Sequence, residues 1–174
     1  MLLKFATTRM VASPTRGHPT DAGIDFYLPK LNQDLVALLL EKKCVFGTNA
    51  NRQDNKNYIV IKPGNNVAIP SGIKVEIPYG HMGLFLNKSS VASKKNLLIG
   101  AQVIDTFYSG EVHIDLHNTG TEEVMIYEGD KLAQMILVPI LNCDLINVTE
   151  NELYNWMKQE QFRDAGGFGS TDKK

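Results

Sequence analysis

The chain has 174 residues, of which 43% are hydrophobic and 21% are charged. This length predicts one domain that can bury a sizeable core, and the composition is ordinary for a soluble globular protein. The formal net charge of −1 argues against a general affinity for nucleic acids, because the chain has no basic field with which to displace counterions from a polyanion.

The sequence carries no sign of a membrane-spanning or secreted protein. Its longest apolar run, residues 35–40, is far shorter than the ~20 residues that cross a bilayer. Residues 1–5 lack the layout of a signal peptide. Cys44 and Cys143 have no CxxC spacing, so we expect free thiols in a reducing compartment. These features predict a cytoplasmic protein that binds no membrane.

The first predicted element is a helix. Asn32 is a favourable N-cap for the apolar run 35–43, and the two lysines at its end place positive charge in the last turn. The polar stretch 47–57 that follows predicts a loop. Together these residues interrupt the pattern that fills the rest of the chain.

Short apolar runs separated by turn residues then continue to about residue 140. The predicted strands are 58–61, 67–69, 73–77, 83–86, 111–117, 123–127 and 134–140. Gly, Pro and Asn residues lie between them, and these are the residues that tight turns favour. Such a succession of short strands is typical of an all-β sandwich or barrel.

The end of the chain has a different character. Thr149 and Glu152 fit a capping box, and apolar residues at 153, 156 and 157 recur on one face of a short predicted helix. The last residues, 161–174, are rich in glycine. We therefore divide the chain into one domain over residues 1–160 and a flexible arm over residues 161–174.

The composition of this arm permits two interpretations. Glycines let a backbone approach a ligand closely, an aromatic ring such as that of Phe168 can stack on a base, and Arg163, Ser170 and Thr171 can bind phosphate oxygens. The arm would then close over a nucleotide. The alternative is a disordered Gly/Ser tail without a function of its own.

Two internal segments carry candidate chemistry. In the segment 104–110, a hairpin turn would present Asp105 and Tyr108 together, so that a carboxylate could deprotonate water beside a ring that stacks on a sugar. The alternative is a solvated turn Asp and a half-buried Tyr. The segment 88–90, Lys-Ser-Ser, follows a predicted strand and offers an anion site or an ordinary polar loop.

A further pattern suggests a metal site. Glu111, His113, Asp115 and His117 alternate and would share one strand face, where they could bind a transition metal. We favour the simpler interpretation of a polar face opposite a core face.

Five segments, in order, resemble the motifs of the homotrimeric dUTP pyrophosphatases (dUTPases). They are DAGID at 21–25, NKSSVASK at 87–94, GAQVIDTFYSGE at 100–111, GDKLAQ at 129–134 and the arm residues RDAGGFGST at 163–171. The resemblance implies a β-jelly-roll (β-clip) fold, dUTP as substrate, Mg²⁺ as cofactor and active sites between subunits. Residues 31–57 stand out from the family pattern as a helix-containing insertion.

The resemblance also implies a role for individual residues. Asp105 would be the general base, Tyr108 the filter against a 2′-hydroxyl, and Asp25 a contact to Mg²⁺ through water only. The remaining residues implied to bind substrate are Lys88, Ser89, Ser90, Gln102, Val103, Ile104, Glu111, Gln134, Arg163, Phe168, Gly169, Ser170 and Thr171. Lys88 stands where the family usually has arginine, and Gln102 where it often has glycine.

Two other functions remain open at the level of sequence. A dCTP deaminase shares this fold by resemblance, although the intact hairpin and arm favour the pyrophosphatase. A regulatory binding protein on the same scaffold, as in some viral and phage members, would use residues 31–57 to meet a protein partner. A virus-encoded member would act in the host cytoplasm.

Overall fold

The computed structural model describes residues 2–42, 44–48 and 56–154. Contacts divide the chain into a unit of residues 1–141 and a unit of residues 142–174. Residues 140–149 form no strand, and residues 141–149 are exposed. The division predicted between residues 160 and 161, and the arm 161–174, lie outside the described residues and stay a prediction.

The described residues form twelve strands, and every strand pair is antiparallel. This confirms the all-β prediction. The strands are β1 (Lys4–Thr7), β2 (Ile24–Tyr27), β3 (Val45–Thr48), β4 (Asn57–Ile61), β5 (Asn66–Pro70), β6 (Ile73–Glu76), β7 (His81–Leu86), β8 (Leu97–Ile99), β9 (Val103–Ile104), β10 (His113–Asn118), β11 (Val124–Tyr127) and β12 (Lys131–Pro139).

These strands are arranged in four sheets, with the orders β1-β6, β5-β10-β8, β11-β4-β3 and β2-β12-β7-β9. Alternating residues of the strands face one shared hydrophobic core. At its centre the rings of Phe26 and Phe85, from β2 and β7, meet edge to face with centroids 5.0 Å apart. Met135 of β12 lies opposite Phe85 in the register and is fully buried.

Three helices accompany the strands in the described residues: α1 (Gln33–Glu41), α2 (Ser89–Lys95) and α3 (Glu150–Leu153). The predicted cap of α1 is confirmed, since the Asn32 side chain accepts a hydrogen bond of 3.0 Å from the Leu35 N–H. The predicted basic last turn is wrong, because α1 ends at Glu41 before the lysines. The capping box of Thr149 and Glu152 is confirmed in α3. Trp156 and Met157 lie outside the described residues.

The segment 31–57 is built into the domain. Leu35 and Leu39 of α1 are 0% and 1% exposed and belong to the core. Strand β3 was not predicted from the sequence and overlaps the first two residues of the expected loop 47–57. It pairs with β4 and forms the edge of its sheet. Removing this segment would therefore remove core side chains and an edge strand.

A buried carboxylate joins the beginning and the end of this segment. Glu128, 5% exposed, accepts hydrogen bonds from the Leu31 N–H at 2.7 Å and from the Asn57 side-chain amide at 3.2 Å. Burial by itself would raise the pKa of Glu128, but these bonds and the charge of Lys30 outweigh it and lower the pKa. The charged form is thus the one that holds the segment closed.

Truncating Leu35 should test how firmly the segment is integrated. We expect Leu35→Ala to lower the free energy of unfolding by about 2–5 kcal/mol, because it leaves a cavity in a packed core. Leu40→Ala, on the same helix but 52% exposed, should change it by less than about 1 kcal/mol. Denaturant unfolding of both variants gives the comparison. Equal small losses would contradict the integrated segment.

Candidate active site

The turn that carries Asp105 and Tyr108 follows strand β9 directly. The Tyr108 N–H donates to the Asp105 carbonyl at 3.2 Å, which closes the turn, and the Thr106 hydroxyl donates to the His81 carbonyl at 2.6 Å, which anchors the turn to β7. Phe107 adopts the left-handed backbone region with φ of 69° and is 84% exposed. Asp105 is exposed as well. Asp105 and Tyr108 thus belong to one turn, which their main-chain hydrogen bond closes.

The strands around this turn differ from the predicted local hairpin. Strand β8 pairs with β10, whereas β9 pairs with β7 of another sheet. Residues 100–112 thus form a loop between β8 and β10, and this loop contains the short strand β9, which pairs with β7. Strand β9 is the edge of its four-stranded sheet. An edge strand presents main-chain N–H and C=O groups that a ligand can use.

The ring of Tyr108 is held in place by its own turn. Its hydroxyl donates to the Glu111 carbonyl at 3.0 Å. Glycine at position 110 leaves room for this ring, because a Cβ atom there would overlap the Tyr108 hydroxyl and force the side chain to shift. The ring is 44% exposed, so one side of it is open to a ligand.

The other residues predicted to bind substrate in this region are either exposed or already hydrogen-bonded within the protein. Val103 is 54% exposed. The main-chain carbonyl of Gln102 accepts from the Phe85 N–H at 2.9 Å. The Glu111 carboxylate accepts from Arg9 Nε at 2.8 Å and from the Gly72 N–H at 2.6 Å. Glu111 therefore attaches the loop 100–112 to the β5–β6 turn. Arg9 holds the Glu111 carboxylate, a role that the sequence did not indicate.

A charged cluster lies at another point of the same sheet. Asp25 of β2 is 3% exposed. Its Oδ1 is 3.0 Å from Nζ of Lys88, and its Oδ2 is 2.6 Å from Nζ of Lys131. Lys131 was not singled out from the sequence, although it stands within the GDKLAQ segment three residues before Gln134.

Each charged group of this cluster stabilises the charged form of its partner. Burial by itself would raise the pKa of Asp25, but hydrogen bonds and charge from Lys131 and Lys88 outweigh it and lower the pKa. The hydrogen bond to Asp25 in turn raises the pKa of Lys131. A carboxylate with a lowered pKa stabilises the fold above its ordinary pKa, and this stabilisation is lost as the pH falls through the lowered value.

Gln134 lies beside this cluster. It is opposite Asp25 and Leu86 in the sheet register, and its amide donates to the Asn87 carbonyl at 2.9 Å. A Cβ atom at position 23 would overlap Oε1 of Gln134 and lie 2.8 Å from its Cδ. Gly23 is thus required for the observed position of Gln134. Ser89 and Ser90 begin α2 next to Lys88, and both are exposed.

The structure therefore brings the sequence-predicted residues together in two groups. Gln134 lies opposite Leu86 of β7, while Ile104, next to Asp105, lies opposite Gly83. Leu86 and Gly83 are three residues apart on β7, so the two groups are separated by about 10 Å along the sheet. Arg163, Phe168, Gly169, Ser170 and Thr171 lie outside the described residues.

The alternating face of β10 forms a pair rather than a metal cluster. His117 Nε2 is 2.9 Å from Asp115 Oδ2, and Asp115 also accepts from Asn66 and the Ala101 N–H. Within the described ranges, no group of three or more His, Cys, Asp or Glu side chains could hold a metal ion. In the same residues, no helix is long and apolar enough to cross a membrane.

An all-β scaffold with an exposed turn carboxylate, a main-chain edge and a lysine cluster has the features of an enzyme that acts on an anionic ligand. Comparison with known proteins identifies its family. The dUTPase family model matches residues 55–172, and the chain belongs to the dUTPase family.

Individual relatives agree with this assignment. The chain is 35% identical over 120 residues to the deoxyuridine 5′-triphosphate nucleotidohydrolase of Hydrogenobaculum sp., covering 68% of this chain and 78% of that protein. It is 32% identical to the enzyme of the same name from Escherichia phage T5, covering 84% of this chain and 93% of that protein.

A solved structure extends the likeness to the fold. A mutant dUTPase from phage phi11 of S. aureus, solved to describe the coordination of a structural Mg(II) ion, matches with a TM-score of 0.66 and 25% identity. The match covers 87% of this chain and 99% of that one. The predicted dUTPase-like jelly-roll is thereby confirmed.

Adding one methyl group at Gly23 should displace Gln134. We expect Gly23→Ala to cost about 1–3 kcal/mol of unfolding free energy through overpacking. In a Gln134→Ala background the same substitution should cost clearly less, because most of the overlapping atoms are gone. Denaturant unfolding of the two single variants and the double variant measures this coupling. Strictly additive losses would contradict the contact.

Proposed function

We propose that this chain hydrolyses dUTP to dUMP and pyrophosphate, which removes dUTP and supplies the precursor of dTTP. The observation that carries the proposal is the turn of Asp105 and Tyr108 beside edge strand β9, in a chain of the dUTPase family. Relatives named deoxyuridine 5′-triphosphate nucleotidohydrolase support it. The free thiols of Cys44 and Cys143 fit the reducing cytoplasm in which we place the enzyme.

Asp105 is the proposed general base. Its exposed carboxylate accepts a proton from water, and the water oxygen attacks the α-phosphorus in line. The bond between the α-phosphorus and the bridging oxygen breaks, and pyrophosphate leaves with that electron pair. The proton on Asp105 then returns to solvent, so that the carboxylate is ready for another turnover.

Main-chain groups are the proposed reader of uracil. Within the described part of the chain, β9 pairs only with β7. Main-chain groups alternate between the two sides of an antiparallel strand, and the Phe85 N–H already bonds the Gln102 carbonyl. The N–H and C=O groups of Val103 therefore face the other edge, where a base can bind them. Gln102 precedes this edge, and Glu111, which Arg9 holds, follows the turn of Asp105 and Tyr108. The Tyr108 ring, fixed by the Glu111 carbonyl, fills the space that a 2′-hydroxyl would need.

The triphosphate is proposed to bind at the lysine cluster. Lys88, Ser89, Ser90 and Gln134 offer an ammonium group, two hydroxyls and an amide on one side of the sheet. Arg163, Ser170 and Thr171 of the arm are proposed to add contacts to the phosphates. Phe168 and Gly169 are proposed to cover the base, which would exclude water from the reacting phosphorus.

Mg²⁺ is the proposed cofactor, held mainly by the substrate phosphates, as is common for this ion. The structural Mg(II) ion of the phi11 dUTPase supports a role for the metal in the family. Asp25 does not fit the expected contact through water. Both of its carboxylate oxygens face lysine ammonium groups, and its side chain is only 5% exposed.

A homotrimer with active sites between subunits is the proposed assembly. Support comes from the outer face of the sheet β2-β12-β7-β9, where Met82, Leu84, Ile136 and Val138 are half-buried and Val103 is exposed. An apolar sheet face of this kind is usually covered by another layer. The neighbouring copy would bring its phosphate-binding group, including Gln134, to this chain's turn of Asp105.

Asp105→Asn should nearly abolish turnover while keeping affinity for dUTP. The amide can hold the water but cannot accept its proton, so we expect a loss of at least about 10²-fold in kcat. Pyrophosphate release measures turnover, and calorimetry with a non-hydrolysable dUTP analogue measures affinity. Asp144→Asn, at another exposed position, is the matched control. Turnover near the wild-type value would remove Asp105 from the role of base.

Tyr108→Ala should narrow the preference for dUTP over UTP. Removing the ring opens space for the ribose 2′-hydroxyl, so kcat/KM should fall for dUTP and rise relative to it for UTP. Tyr108→Phe keeps the ring and loses only the bond to the Glu111 carbonyl, so its selectivity should stay near wild type. Pyrophosphate release from both nucleotides provides the ratio. An unchanged ratio in Tyr108→Ala would place the sugar filter elsewhere.

A further inference from the structure

One buried carboxylate faces two ammonium groups in this chain. Asp25 is 3% exposed, while the side chains of Lys88 and Lys131 are 26% and 39% exposed. The cluster therefore carries one positive charge in excess. A single lysine would neutralise Asp25, so the second ammonium is not needed to compensate the buried charge.

The position of the cluster indicates where this excess charge acts. Lys88 immediately precedes Ser89, and Lys131 lies on β12 three residues before Gln134. Gln134 is also opposite Asp25 in the register of β2 and β12. Both lysines thus border the groups proposed to bind the triphosphate. Lys131 Nζ lies 5.9 Å from the centre of the Tyr27 ring, which limits its freedom on the other side.

Holding the lysines in advance has a physical advantage. A lysine side chain has several rotatable bonds and loses rotamer entropy when it binds a ligand. The bonds of 3.0 Å and 2.6 Å to Asp25 order both ammonium groups before a ligand arrives, so less entropy remains to be lost on binding. Each ammonium has three N–H donors, and Asp25 does not occupy all of them.

We propose that Lys131 is a second cationic contact for the substrate triphosphate, and that Asp25 is a positioning residue that holds Lys88 and Lys131 for it. This inference rests on the proposed function and refines its phosphate site. It assigns Asp25 to the lysines in place of Mg²⁺. It also explains why lysine suffices at position 88. The ammonium groups of Lys88 and Lys131, both held by Asp25, together replace the two-pronged contact that a single arginine would make with phosphate.

The first experiment replaces Lys131. Calorimetry with a non-hydrolysable α,β-imido analogue of dUTP should give a dissociation constant about 10- to 100-fold higher for Lys131→Met, from the loss of a charge-assisted contact. Lys131→Arg should stay within a few-fold of wild type. Inhibition by deoxyuridine, which has no phosphate, should be unchanged in both variants. Lys4→Met, which removes an exposed charge paired with Glu76, is the control.

Two results of this experiment would overturn the inference. One is a Lys131→Met variant that binds the analogue as wild type does. The other is an equal loss for the analogue and for deoxyuridine, which would reveal a general structural defect. The wild-type measurement tests the proposed function separately, because wild type must bind the analogue and release pyrophosphate from dUTP whatever Lys131 does.

The second experiment tests Asp25 by a double-mutant cycle in Mg²⁺ and in EDTA. If Asp25 positions the lysines, Asp25→Asn should weaken analogue binding by a similar factor in both buffers. Adding Lys131→Met should then cost less than it does alone. A defect that disappears in EDTA, together with additive losses, would instead make Asp25 a metal contact. Thermal unfolding verifies each variant, and the Lys131 series still decides if Asp25→Asn does not fold.

Discussion

The pairing of β12 along both of its edges is the constraint on which the rest of the molecule depends. This strand, Lys131–Pro139, binds β2 on one side and β7 on the other. Its inward residues fill the core, where Met135 is 0% exposed. Because side chains alternate along a strand, burying Met135 sends Gln134 to the opposite face, next to Asp25. A shift of one residue would exchange these faces and would disrupt both the core and the proposed phosphate site.

Electrostatics and packing act together at this face. The cost of burying the Asp25 carboxylate is offset by the ammonium groups that lie within 3.0 Å of it. Gly23 leaves the space that Gln134 occupies beside them. In the same arrangement each carboxylate oxygen of Asp25 faces a lysine ammonium group, and the three side chains together carry a positive net charge.

The segment 31–57 illustrates how a departure from a family pattern becomes part of a fold. Its helix contributes Leu35 and Leu39 to the core, and its strand β3 extends a sheet. The carboxylate of Glu128 then binds both ends of the segment. Leu35 and Leu39 therefore have their partners within this domain, whereas Leu38 and Leu40 lie on the exposed face of α1.

The sequence alone determined the β class, most strand positions, the Asn32 cap and the segments that resemble dUTPase motifs, because alternation, capping and turn chemistry are local properties of neighbouring residues. It also brought Asp105 and Tyr108 together, since one turn holds both. It missed strands β1, β2, β3, β8 and β9. It also missed the roles of Lys131, Gly23 and Arg9, whose partners Asp25, Gln134 and Glu111 lie 102 to 111 residues away. Only the tertiary structure decided those contacts, because strand partners and buried ion pairs depend on which distant segments pack together, and no periodicity records that choice.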